Sequence, residues 1–137
     1  MGFLLKYQQT FTYWIIINAA HNSFNGKSLE KIAKQKKIKY FLVTFVDLFG
    51  VQRAKLVPSR AIGEMQKTGA GFGGFATHLD LSFSEPDMFA LPDPDSLIQL
   101  PWQPDVGWLA SDLVMNNQFM DQCPRVILKN QINNLDK

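Results

Sequence analysis

The strongest constraint in this sequence lies between Tyr40 and Val57. Tyr40-Phe41-Leu42-Val43-Thr44-Phe45-Val46 is rich in β-branched and aromatic residues, which suit a pleated, half-buried surface. Asp47-Leu48-Phe49-Gly50 then supplies a turn, because Gly50 can take a positive φ at no steric cost. Val51, Arg53, Lys55 and Val57 alternate with Gln52, Ala54 and Leu56, the period of a returning strand. Pro58 stops that strand, since proline brings no N–H to a ladder. Asp47 is expected to shape the turn, with Arg53 and Lys55 exposed.

A helix is expected just before this hairpin. Ser28 can cap it, Leu29, Ile32 and Ala33 recur at helical spacing, and Lys34, Lys36 and Lys37 fall on the solvated side. Lys31 stands where a glutamate would complete a capping box. The basic run reads as a solvent face, not a binding patch. After the hairpin, Ser59 is expected to cap a short helix running through Met65 and Lys67. Gly69, Gly71, Gly73 and Gly74 then surround Phe72, and a loop is expected to follow as far as Pro104. That loop carries Pro86, Pro92, Pro94, Pro101 and Pro104 together with Asp87, Asp93 and Asp95. One strand is expected within Ser96-Leu97-Ile98-Gln99-Leu100 and another from Val106 to Val114. Pro124 suits the first turn of a last helix, striped by Val126, Ile127, Leu128 and Ile132. Three to five strands interrupted by helices, without regular βαβ alternation, give an α+β fold.

Composition narrows the function classes. At 137 residues the chain is one domain's length, and its 46% hydrophobic and 19% charged content is that of an ordinary globular protein. A net charge of +2 is too small to imply nucleic acid or an anionic membrane as partner. The apolar run at 11–17 is too short to span a bilayer, and it lacks the basic start and clean apolar stretch of a secretory signal. Lys6 stands where a myristoylation motif needs serine or threonine. Residues 1–25 therefore read as an extension. Cys123 is the single cysteine, so the chain cannot form an internal disulfide; a small buried side chain in a cytoplasmic, reducing compartment is the expectation.

Several stretches together resemble the glutamine synthetase family. They are Phe45-Val46-Asp47-Leu48-Phe49-Gly50, Gly71-Phe72-Gly73-Gly74, and Asp87-Met88-Phe89-Ala90-Leu91-Pro92-Asp93-Pro94-Asp95-Ser96, followed in order by Leu100-Pro101-Trp102 and Cys123-Pro124-Arg125. The resemblance covers about residues 28 to 135. Its wording is closer to the divergent type III and γ-glutamylmethylamide-synthetase-like members than to the main assimilatory enzyme. It implies an amino-terminal β-grasp domain at 26–123, with 124–137 starting a linker helix toward a catalytic domain. Family members use ATP and a divalent metal, Mg2+ or Mn2+, to phosphorylate the glutamate side chain, and ammonia or an amine then displaces phosphate. Most ligands for these sit on the larger carboxy-terminal domain. The small domain completes the active site of a neighbour in a homo-oligomeric ring.

On this resemblance Gly71, Phe72, Gly73 and Gly74 are the candidate substrate-loop residues. Glycine amides can approach an anion closely because no Cβ intervenes, but no Lys-Ser or Lys-Thr follows as a phosphate-binding P-loop requires. A flexible connector is the alternative reading. Assimilatory members carry an aspartate where this chain has Gly73 and a serine where it has Ala76, which puts strict ammonium use in doubt. Either another domain supplies the base, or the nitrogen substrate is a neutral or alkylated amine.

Asp80, Glu85, Asp87, Asp93 and Asp95 are acidic enough to suggest a cation, yet their spacing is not that of a calcium loop. No metal is assigned to them; Asp87, Asp93 and Asp95 are expected to structure the loop, Asp87 and Asp93 by accepting from backbone N–H groups. His21 and His78 have no second ligand at metal spacing. Trp102 and Trp108 are expected to anchor packing beneath the loop, and Arg125 to cap or pair with a carboxylate. No nucleophile, base and orienting group can be assembled from these residues, so the 137-residue chain is expected to be inactive alone. A non-catalytic interaction or regulatory module is the alternative function, and an unrelated anion-binding α+β scaffold a third.

Overall fold

The computed structural model describes residues 27–77 and 81–135. The 1–25 extension with its apolar run, His21, His78 and Asp80 lie outside the described residues, as does the side chain of Ala76. The described residues form three helices and seven strands. In chain order they are α1 (Leu29–Lys36), β1 (Tyr40–Val46), β2 (Gln52–Pro58), α2 (Ile62–Thr68), β3 (Ala70–Phe72), β4 (Met88–Pro92), β5 (Ile98–Gln99), β6 (Val106–Met115), β7 (Gln118–Phe119) and α3 (Pro124–Leu135). Short 3-10 turns at Gly74–Thr77 and Pro94–Ser96 interrupt the long connections.

The strands join into one mixed sheet ordered β2-β1-β6-β4-β3. Strand β6 organises it. Its first half runs parallel to β1, from Tyr40↔Val106 to Thr44↔Ala110. Its second half pairs antiparallel with β4, from Phe89↔Val114 to Pro92↔Ser111. The β6–β7 hairpin turns through Asn116 and Asn117, both at positive φ, as a two-residue hairpin loop requires.

The core lies on the face that α1 and α2 cover. Phe41, Val43 and Phe45 of β1, Leu109 and Leu113 of β6, and Met88 and Ala90 of β4 meet Leu29, Ala33 and Ile62 from the helices. A leucine buried to this degree stabilises the fold by roughly 1.5–3 kcal/mol. On the other face of β1, Thr44 can be buried because its hydroxyl donates to the Leu109 carbonyl at 2.9 Å, which satisfies a group that would be costly to bury alone. Both ends of α1 are held by glutamines from elsewhere. The Gln66 side chain accepts from Leu29 N–H and donates to the Lys27 carbonyl, while Gln99 donates to the Lys36 carbonyl.

Several expectations are met. Ser28 caps α1 by accepting from Lys31 N–H, the first hairpin strand spans Tyr40–Val46, and Gly50 takes φ +78° in the turn. Others need correction. Ser59 does not cap α2: Ala61 holds the cap position without a side-chain bond, and Ser59 instead donates its N–H to Lys39. The expected loop after Gly74 contains β4, an inner strand between β6 and β3. Pro92 is compatible with that place because it falls at the strand's last residue. Trp102 is 79% exposed and anchors no packing among the described residues, since it stands in a tight turn between β5 and β6. Of the stripe on the last helix only Val126 is buried; Ile127, Leu128 and Ile132 face solvent. Among the described residues, no helix is long and apolar enough to cross a membrane.

Candidate functional site

The glycine-bearing stretch occupies the outer edge of the sheet. It begins at Gly69, which ends α2 with φ +81° and donates its N–H to the Met65 carbonyl at 2.8 Å. A side chain there would bring its Cβ to 2.8 Å from the Cβ of Phe89, so the close approach of β3 to β4 depends on glycine. Gly71 and Phe72 are strand residues, not loop, and pair with Phe89 and Met88. Gly73 and Gly74 continue into the 3-10 turn.

Phe72 is not a free side chain. Its ring meets Phe45 edge-on, with centroids 4.8 Å apart and planes at 86°, a favourable aromatic geometry. The ammonium of Lys55 lies 5.6 Å from the Phe72 centroid and donates to the Gly71 carbonyl at 2.7 Å. Strands β2 and β3 are opposite ends of the strand order, yet one lysine side chain bridges them, so the sheet curls back on itself here. Beyond this clamp, the space that a side chain at Gly73 would fill is taken by Phe75, whose Cε1 lies 2.5 Å from the position of such a Cβ. Phe75 packs on Phe83 at 4.4 Å between centroids with the rings tilted by 33°; Phe75 is half-exposed and Phe83 largely exposed.

The hairpin beside this edge is fixed by Asp47. Its buried carboxylate accepts from Phe49 N–H at 3.0 Å and Val51 N–H at 2.9 Å on one oxygen, and from the Arg53 guanidinium on the other. Burial pushes this carboxyl's pKa up, but the bonds from Val51, Arg53 and Phe49 outweigh that and hold it below its ordinary value. Arg53 is thus half-buried and ion-paired, where an exposed side chain was expected. The rigid turn carries Leu48 and Phe49 outward, Phe49 74% exposed.

The expected loop-structuring acids have different roles. Asp93 caps the 3-10 turn by accepting from Asp95 N–H at 3.0 Å, and its other oxygen takes a bond from Arg125 at 2.6 Å. Asp95 pairs with Lys27 at the surface. Asp87 is exposed and makes no side-chain hydrogen bond among the described residues. Arg125 also donates to Asp112 at 2.6 Å, and Lys129, one helical turn later, bonds the second Asp112 oxygen. Burial would lower the Arg125 pKa, but bonding to Asp112 and then Asp93 raises it above the ordinary value, so the guanidinium stays charged. Asp112 and Lys129 are sequence-silent partners in this network; the Arg125–Lys129 spacing of one helical turn was its one visible trace.

The structure therefore brings Gly71, Phe72, Gly73 and Gly74 together at one edge and places Asp93 and Arg125 on a structural corner. Among the described residues no group of three or more His, Cys, Asp or Glu side chains could hold a metal ion.

Comparison with known proteins gives this geometry a context. No protein-family model matches the chain. Over 101 residues, 74% of the chain, it is 58% identical to a glutamine synthetase of Rhizobium leguminosarum bv. phaseoli. The matched residues belong to the amino-terminal part of the glutamine synthetase family. A glutamate–methylamine ligase of Methyloversatilis universalis is 31% identical over 105 residues. Among solved structures, apo GmaS superposes with a TM-score of 0.71 at 56% identity over 73% of this chain. A GmaS–ADP complex gives 0.76 at 54% identity over 77%. The chain spans about a quarter of the length of these relatives, 23% of the Rhizobium protein and 24% of apo GmaS. The family members it matches are ligases, and the mixed sheet with its three helices is the fold they share with it at this end.

Proposed function

We propose that this chain forms the β-grasp-type, amino-terminal portion of an ATP-dependent ligase that joins ammonia or an amine to the side-chain carboxylate of glutamate. The observation that carries this reading is 58% identity across 101 residues to a glutamine synthetase of which the chain spans 23%. The parallel β1–β6 pair inside an otherwise antiparallel sheet, with the β1–β2 hairpin beside it and two helices on one face, supports the β-grasp assignment. In this reading residues 26–123 are the domain, and 124–137 begin the connection to a catalytic region.

The edge at Gly71, Phe72, Gly73 and Gly74 is the part offered to a neighbouring subunit in a homo-oligomeric ring. ATP and Mg2+ or Mn2+ would be held mainly outside this chain's residues, because the buried carboxylates here are already committed. Asp47 serves Arg53 and two backbone amides, and Asp112 serves Arg125 and Lys129. The described residues do not fit an ATP–metal site, and no step of phosphoryl transfer is assigned to them. Phe75 beside Gly73 gives this edge an apolar ring where assimilatory relatives carry a carboxylate, which suits an alkylated amine whose carbon can pack against the ring. The reaction belongs in the cytoplasm, where ATP and glutamate are supplied.

A fusion tests the reading directly. Residues 27–135 would replace the matched segment of the Rhizobium leguminosarum ligase, and phosphate release would be followed with glutamate, ATP, magnesium and either ammonia or methylamine. Amine-dependent turnover by the fusion, and none by the 137-residue chain alone, is expected. A folded, assembled fusion without turnover would refute the proposal.

A further inference from the structure

The glycine edge is short for the place it holds. Strand β3 has three residues, pairs only with β4 among the described strands, and is followed directly by two more glycines. Glycine-rich backbone loses more conformational freedom on ordering than any other, so something beyond a three-residue ladder must hold this segment in one position. Its start is held by α2 through Gly69. Its far end is held by two side chains from other strands. Phe45 from β1 meets Phe72 edge-on at 4.8 Å, and the Lys55 ammonium lies 5.6 Å from the Phe72 centroid and 2.7 Å from the Gly71 oxygen.

We infer that Lys55 is a positioning residue for the 71–74 edge, acting through the Gly71 carbonyl and the Phe72 ring. Its charge gives both contacts their strength: a charge-assisted hydrogen bond is about twice as strong as a neutral one, and the ring face attracts the cation. The side chain reaches across from the opposite end of the strand order, so it sets where the edge lies relative to the β1–β2 hairpin. Lys55 is itself exposed, and the hydrophobic core does not need it. Its meaning for catalysis rests on the proposed ligase reading; the clamp itself rests on geometry.

Amide hydrogen exchange on the intact 137-residue chain tests the clamp. Lys55→Met keeps the aliphatic stem and removes the ammonium, and Lys55→Arg keeps a donor and a cation. The expected result is exchange roughly fivefold faster at the amides of residues 71–74 in Lys55→Met, as loss of one charge-assisted bond at a surface site would give. Protection in β1 and β6 and the unfolding midpoint should stay at the parent values, and Lys55→Arg should restore most of the local protection. Unchanged exchange at 71–74, or a loss spread evenly over the whole sheet, would overturn the inference. In the fusion enzyme, Lys55→Met is expected to raise KM for the amine severalfold with a smaller change in kcat. Equal KM values would overturn the positioning role. An inactive parent fusion with the local exchange effect intact would instead refute the ligase reading and leave the clamp standing.

Discussion

The corner under the last helix and the glycine edge are both held by charged side chains, but in different ways. At the corner Arg125 reaches two carboxylates, Asp112 takes two cations, and Asp93 also caps a 3-10 turn, so each group has more than one reason to stay where it is. At the edge one exposed lysine and one aromatic contact hold the end of β3. Ion pairs removed from solvent are poorly screened and resist disruption, whereas an exposed contact competes with water and salt. The difference separates the part of the molecule that fixes the fold from the part built to meet something else.

This contrast can be broken by substitution. Arg125→Met should cause the largest loss, about 2–3 kcal/mol by urea unfolding, because it strands the Asp112 and Asp93 carboxylates. The value lies below that of a fully buried pair since 26% of the Arg125 side chain is in solvent. Gly69→Ala should cost about 1–2 kcal/mol, through a left-handed backbone and a Cβ forced against Phe89. A loss there larger than that of Arg125→Met would invert the comparison.

Asp47 sharpens it through pH. Its folded pKa is depressed, so the carboxylate contributes stability above its unfolded pKa, and that contribution is lost as pH falls through the folded value. Asp47→Asn should therefore flatten part of the acid limb of a stability–pH curve and leave its shape near neutrality unchanged. An acid limb identical to the parent's would show that the turn's hydrogen bonds are not linked to this proton. The smallest effect is expected from Phe75→Ala, below about 1 kcal/mol, since about half of the residue is in solvent and its ring packs on the still more exposed Phe83.

Much of the fold was legible in the residues. Ser28 marked the start of α1, the run at 40–46 marked β1, Gly50 marked the turn, and Pro124 marked α3, because each acts through local backbone preference. Strand β4 was not legible. Met88-Phe89-Ala90-Leu91-Pro92 is short, lacks β-branched residues, and lies among prolines and aspartates that read as loop. It is a strand because β6 offers it a ladder and the core offers Met88 and Ala90 a place. The hairpin into β7 had a local signal, Asn116-Asn117, whose tolerance of positive φ suits a two-residue turn. At the candidate site the glycines were visible, but Lys55 read as an ordinary solvated residue of a strand.

The sequence by itself determined the local elements other than β4, the resemblance of the matched residues to glutamine synthetases, and the glycines at 69, 71, 73 and 74. Those properties depend on backbone preference and on the order of residues along the chain. Tertiary structure decided which side chains meet across distance: Gln66 and Gln99 at the two ends of α1, Asp112 with Arg125 and Lys129, and Lys55 with Gly71. The reason is physical. A hydrogen bond between residues 16 or 37 positions apart has no local signature, and it forms only after the sheet has curled and the helices have packed to bring the partners within reach.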